Sequence, residues 1–365
     1  MGIYSTDGIE YFNKQKDIMK KILFLLIAVL ATQITTAQNI LIVDRSLSNT
    51  LGDNYYTDLQ AAIDAAVSDD IIYLMPNTNT YGNIKINNQF NLTIIGAGYN
   101  AAAASLDRPY HSRILNLEMR NSHNITLKGL YINGSGGFEI GNALDSESTN
   151  ILIDETFIAR MDIDRANNVT ISNSFIYTSF STSQSSGFSE NISVLNSVIR
   201  VSTFQSVHNT SFENCLITGA TLGSSVDDSI FKNNIFANNS TTSEGPIWAN
   251  NNNTFINNFT TTPISYDGGN NTGSGNIGII MGLDGIFADD SVRADVNWSS
   301  DWLLTPEHEL IINGGSDGTD IGPTGGANPM DGSPIFSLPT IYELRIPTEV
   351  KAGEDIEVTI KAKGN

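Results

Sequence analysis

The segments NVTISNSFIY at 168–177 and NISVLNSVIR at 191–200 carry one phrase twice: asparagine, alternating apolar residues, a second asparagine, an apolar pair. The phrase returns as NLTII at 91, NITLKGLYI at 124, NILIDETFI at 150, NTSFENCLI at 209, DSIFKNNIF at 228 and NTFINNF at 253. From 124 onward the starts are separated by 26, 18, 23, 18, 19 and 25 residues. A constant phrase at variable spacing describes a coil with fixed walls and loops that grow at its corners. Within the phrase Val169 and Ile171 alternate with polar residues, which is the period of a strand. Such short strands are unstable alone. Stacked at ~4.8 Å, they pair in parallel and bury a continuous apolar interior. The predicted fold is all-β, a three-walled right-handed parallel β-helix over residues 39–328. The second asparagine recurs as Asn173, Asn196, Asn214, Asn233 and Asn258, with Gly129 and Glu155 in earlier coils. Asparagine tolerates left-handed corners, and stacked copies are expected to bond amide to amide in an internal ladder.

Two further stretches frame the coils. In YTDLQAAIDAAVSDDIIYLMPNTNTYGNIKI (56–86), Leu59, Ile63, Ala66 and Val67 share one helical face, suited to covering the first coil. WLLTPEHELIINGGSDGTDIGPTGG (302–326) suits terminal coils. Together with the repeat, these segments make the chain resemble the secreted bacterial right-handed β-helix proteins of the pectate-lyase-like superfamily. That superfamily holds lyases, hydrolases, esterases and adhesins, so the resemblance speaks to fold far more than to chemistry.

Upstream, MKKILFLLIAVLATQITTAQ (19–38) has two lysines, an apolar run and a small-residue end, the layout of a secretory signal cleaved after Ala37. Residues 1–37 thus read as an extension plus signal peptide with Met19 as the start. The apolar run is shorter than the ~20 residues that span a bilayer, so no transmembrane segment is expected in the mature chain. The expected location is secreted, periplasmic or cell-surface. Residues 329–340 form a linker, and 341–365 alternate as a strand pair or the start of a truncated β domain. The sole cysteine, Cys215, excludes an internal disulfide.

The formal charge is −20, and without residues 1–37 it becomes −21, from 15 basic and 36 acidic residues. A nucleic-acid partner is excluded on electrostatic grounds. An anionic polysaccharide would need a bridging cation or clustered arginines.

The wall before each leading asparagine comprises NIKIN (83–87), NLEMR (116–120), FEIGN (138–142), MDIDR (161–165) and STFQS (202–206). With apolar residues inward, Lys85, Glu118, Glu139 and Asp162 form one outward column. Asn87, Arg120, Gly141, Asp164 and Gln205 form its neighbour, with Arg165 close by. Carboxylates ~5 Å apart repel unless one keeps its proton or a cation joins them. Ca²⁺, which takes roughly six to eight oxygens, would satisfy Glu118, Glu139 and Asp162. The resemblance implies Arg120 or Arg165 as the base of a lyase, with Glu139 and Asp164 in the catalytic set and Lys85 as a substrate contact. A glycosidase using two of the same carboxylates fits the column equally. The plainer alternative is a solvated acidic face neutralised by Arg120 and Arg165.

Other signals carry little chemistry. GSGNIG (273–278) lacks the strand–turn–helix context of a phosphate loop. Asp317 and Asp320 read as turn formers, with a Ca²⁺ contact as the alternative, and Phe188, Phe204 and Trp248 as core, with sugar-stacking platforms as the alternative. The four histidines lack metal spacing. Two functions remain: a carbohydrate-binding surface or matrix module, and a Ca²⁺-dependent polysaccharide lyase or glycoside hydrolase.

Overall fold

The computed structural model describes residues 38–363 apart from 47–51, 99–110, 142–146, 183–188, 202, 219–225, 238–251, 262–269, 280–285, 288–308, 331–339 and 346–358. The proposed signal, Phe188 and Trp248 lie outside the described residues. No described helix is long and apolar enough to cross a membrane.

The chain is a parallel β-solenoid. Its first wall is a 12-stranded sheet running from Tyr55–Tyr56 and Ile40–Val43 through His123–Lys128 and Ala166–Ser172 to Thr272–Ser274. A 13-stranded sheet supplies the other two walls. The strands Phe157–Ile163 and Phe175–Ser181 run through the corner between them, where the register shifts after Ile158. Among the described residues every pairing within the solenoid is parallel. An antiparallel pair, Thr340–Arg345 with Thr359–Lys363, follows near the end of the chain.

Alternation decides what is buried. On the first wall, Ile94, Leu127, Ile153, Ile171, Val194, Phe212, Phe231 and Phe255 succeed one another in register, all inside the coil. The ring centroids of Phe212 and Phe231 lie 4.9 Å apart, and those of Phe231 and Phe255 5.0 Å, so the rings repeat the spacing between coils. The second wall is apolar on both faces. Ile158, Ile176, Ile199, Ile217 and Phe236 point into the coil. Their neighbours Phe157, Phe175, Val198, Leu216 and Ile235 join a second apolar cluster with Ile286, Phe287, Ile311, Ile321 and Met330. A strand buried on both sides loses its polar alternation, which explains the FI, VI and LI doublets of the repeat.

Asparagines hold the corners in three different ways. The leading residues form the amide ladder: Asn124 Nδ2 donates to Asn91 Oδ1 (2.8 Å), Asn150 to Asn124 (2.9 Å) and Asn168 to Asn150 (3.1 Å). Their φ values of 53° to 58° are left-handed, as the corner demands. The second asparagines also turn left-handed, at Asn173, Asn196, Asn214, Asn233 and Asn257. Contrary to the sequence expectation, their side chains do not form the ladder. Asn196 Nδ2 donates to the carbonyls of Pro323 (3.0 Å) and Gly325 (2.6 Å), and Asn214 Nδ2 to that of Asp320 (3.1 Å). Asn233 Oδ1 accepts from Ser316 N–H (2.9 Å). The glycine-rich segment 310–330 is therefore strapped along this edge.

The buried ladder stands one residue further on. Thr156 N–H donates to Ser174 Oγ, Ser174 N–H to Ser197 Oγ, Cys215 N–H to Asn234 Oδ1, and Asn234 N–H to Asn258 Oδ1. Asn258 thus belongs to this ladder, and its coil begins at Asn252 rather than at Asn253, with Asn252 left-handed; a further coil follows from Asn270, and its Asn276 extends the ladder. Inward side chains here satisfy backbone donors that the bend withdraws from the sheets.

Candidate functional site

The third wall carries the charged column. Its first strand, Asn83–Asn87, buries Ile84 and Ile86 and turns Asn83, Lys85 and Asn87 outward. Asn116–Arg120 follows, burying Leu117 and Met119, and then Phe138–Ile140, burying Phe138 and Ile140. Backbone register places Lys85 beside Glu118, Glu118 beside Glu139, and Glu139 beside Asp162. The column continues through Ser181 to Gln205. Gln205 therefore stands in this column rather than in its neighbour, because the coil carrying Ser181 intervenes after Asp162. Phe204, beside it, is buried in the core.

The neighbouring column is less regular. Asn87 pairs with Arg120. Gly141 and Asp164 close the following turns, where a side chain at residue 141 would strike the Asp164 carbonyl at 1.6 Å. Only glycine fits. Arg165 lies on the corner itself with φ of 50°, in the series of left-handed residues Asn88, Asn121 and Ser206. Its position is set by the bend and not by the wall.

Ion pairs hold the column. Glu118 takes Arg120 Nε at 2.5 Å and Lys85 Nζ at 3.5 Å. Asp162 takes Arg160 Nε at 2.6 Å. Sequence reasoning missed Arg160, although strict alternation back from Asp162 across ARMDI puts both on one face. Lys85, Arg120 and Arg160 balance Glu118, Glu139 and Asp162, so this part of an acidic chain is locally neutral.

Glu139 sits between the two paired acids and makes no ion pair or side-chain hydrogen bond of its own among the described residues. Burial raises its carboxyl above the usual range, and Glu118, Asp162 and Asp164 add to this against the opposing charge of Arg120. The repulsion foreseen for stacked acids is thus met by three cations, and what remains acts with burial to raise the Glu139 carboxyl.

That arrangement fits Ca²⁺ poorly. Glu118 commits both oxygens to Lys85 and Arg120, and Asp162 commits one to Arg160. Among the described residues no group of three or more His, Cys, Asp or Glu converges as metal ligands. At the other candidate, Asp317 Oδ1 accepts from Thr319 N–H (3.0 Å) and Oγ1 (2.8 Å), and Asp320 Oδ1 accepts from Asn313 N–H (3.0 Å). Both aspartates build turns.

Cys215 is fully buried within the polar ladder, its thiol on the Val194 and Glu213 carbonyls at 3.3 Å each. Burial pushes that thiol up to about 12. It is a structural group, inert as a nucleophile.

Comparison with known protein families and with curated proteins finds no match.

Proposed function

We propose that the protein is an exported, right-handed β-helix whose third wall binds a neutral, hydroxyl-rich polysaccharide. The signal-like segment 19–38 supports export. Right-handedness follows the general preference of parallel crossovers, and the helix Leu59–Ala65 is assigned as the lid of the first coil. One observation carries the binding role: an outward column of Lys85, Glu118, Glu139 and Asp162, in register at the coil spacing and fixed by ion pairs. A ladder of evenly spaced donors and acceptors suits a polymer that repeats its hydroxyls. Preorganised side chains lose little entropy when they bind. Local neutrality inside a −20 chain favours a neutral glycan over a uronate polymer.

A second reading, turnover of that glycan, rests on Glu139. A carboxyl raised above its usual range between two ion-paired acids has the makings of a general acid. In-register neighbours at ~4.8 Å approach the ~5–5.5 Å separation of retaining glycosidases. The lyase roles suit these residues less, because a guanidinium bonded to Glu118 makes a poor base.

The test is an array of immobilised neutral and uronate polysaccharides, probed with and without Ca²⁺, with reducing-sugar and 235-nm assays in parallel. Ca²⁺-independent binding to neutral polymers, lost in Glu118→Ala with Asp162→Ala, supports the binding role. New reducing ends abolished by Glu139→Gln support the hydrolase. Unsaturated product that requires Ca²⁺ would replace both with the lyase. Retention of no polymer at all would refute the assignment.

A further inference from the structure

The charged wall is closed at one end. The helix Leu59–Ala65 lies against the edge strand Asn83–Asn87, and the Gln60 amide pairs with that edge as another strand would. Lys85 N–H donates to Gln60 Oε1 (2.8 Å), and Gln60 Nε2 donates to the Lys85 carbonyl (3.0 Å). Gln89 ties the helix from the other side, its Nε2 donating to the Ile63 carbonyl (3.1 Å). A ligand that follows the column from Asp162 through Glu139 and Glu118 to Lys85 therefore meets the flank of the helix.

Where they meet there is a cleft of about 390 Å³, within the size range of small-molecule sites. Asn83, Lys85 and Asn87 line it from the wall, and Gln60, Ile63 and Asp64 from the helix. Lys85 is paired with Glu118, and Asp64 accepts from Gln60 Nε2 (2.9 Å). The other polar side chains are amides, which both donate and accept, as sugar hydroxyls do. Asn87 Oδ1 is buried without a hydrogen-bond partner, which is unfavourable until something fills it. Asn83 offers its Oδ1 to Asn116 Nδ2 (2.7 Å), while its own Nδ2 donates to nothing among the described residues. The strand thus lines the cleft with a donor at Asn83 and, two outward positions on past Lys85, the amide of Asn87, whose buried oxygen is unpaired.

We propose that this cleft receives the terminal sugar of the glycan lying on the third wall, so that the protein recognises chain ends rather than internal stretches. The proposal rests on the glycan-binding role of that wall. Turning the Asn87 amide toward the cleft gives Oδ1 a hydroxyl donor, Asn83 Nδ2 supplies a donor in return, and the helix flank blocks any further residue.

The test uses the full chain and cellohexaose immobilised in two ways, through its reducing end or through its non-reducing end. Binding to one tethered form about tenfold tighter than to the other, weakened about tenfold by Asn87→Ala and by the exposed change Asp64→Asn, supports the proposal. Asp64→Asn leaves the core untouched, so the result stands even if Asn87→Ala misfolds. Equal binding to both tethered forms, unchanged by either substitution but abolished by Glu118→Ala with Asp162→Ala, overturns chain-end recognition and leaves the wall as the binding face. Failure to bind any probe, with the array of neutral polymers also blank, removes the wall and the cleft together.

Discussion

The neighbours Asn257 and Asn258 should respond to mutation in opposite ways. Asn258 is fully buried, and its Oδ1 accepts from Asn234 N–H (2.9 Å) and Asn234 Nδ2 (3.0 Å). Its Nδ2 donates to the Phe231 carbonyl (2.9 Å) and to Asn276 Oδ1 (2.9 Å). In Asn258→Ala, Asn234 Nδ2 keeps the Phe212 carbonyl, and Asn276 Oδ1 keeps the Asn258 N–H. The Asn234 N–H loses its ladder acceptor, while the Phe231 carbonyl keeps the sheet partner that the Lys232↔Ile256 register gives it. One buried donor left unpaired costs ~1–3 kcal/mol. Asn257 instead holds a left-handed corner with φ of 50°. Asn257→Gly fits that corner and should cost a few tenths of a kcal/mol at most. Urea unfolding followed by circular dichroism measures both. With m of about 3 kcal/mol/M, Asn258→Ala lowers the midpoint by roughly 0.3–1 M, and Asn257→Gly leaves it in place. Equal destabilisation by the two, or a larger loss in Asn257→Gly, would refute the assignment of the ladder to the inward position.

Burial lifts the Glu139 carboxyl, so its neutral form favours the fold. That stabilisation is complete below the ordinary glutamate range and is lost as pH rises through the raised value. Glu139→Gln should therefore gain melting temperature over the native chain between acid and neutral pH, and a parallel offset at every pH would count against it. Arg120→Ala should raise the Glu139 titration further, read by carbon-detected NMR, since Arg120 is the charge that opposes the shift. Cys215, its thiol near 12, should resist alkylation at pH 8 until the chain unfolds. Asn196→Ala, which frees the carbonyls of Pro323 and Gly325, should cost ~1–2 kcal/mol and speed proteolysis within residues 310–330.

The coil was legible because its period is written in residue types that permit little else. Alternation in NVTIS and left-handed asparagine define a wall and a corner, and equal spacing aligns them. The column Lys85, Glu118, Glu139 and Asp162 followed from that alignment alone. Gln205 was misplaced because the coil between holds Phe180 and Ser181 in a strand that turns a corner without punctuation. The inward ladder was misassigned by one residue because Ser174, Ser197 and Cys215 share no side-chain type with Asn234 and Asn258. Backbone satisfaction, and not residue identity, is what that position conserves along the coil. The cleft lay beyond sequence reasoning, since nothing in a local pattern states which wall a helix will touch.

The strap has a consequence for how the chain comes to be folded. Asn196 waits for carbonyls 127 and 129 positions downstream, at Pro323 and Gly325. Coils wound in order from the first would leave Phe175, Val198, Leu216, Ile235 and Phe259 as a greasy outer stripe until Ile311, Ile321 and Met330 arrive. A ribosome stalled or a stop codon placed before residue 310 should thus yield wound but self-adhesive chains, and the last step of assembly is the one that makes them harmless to one another.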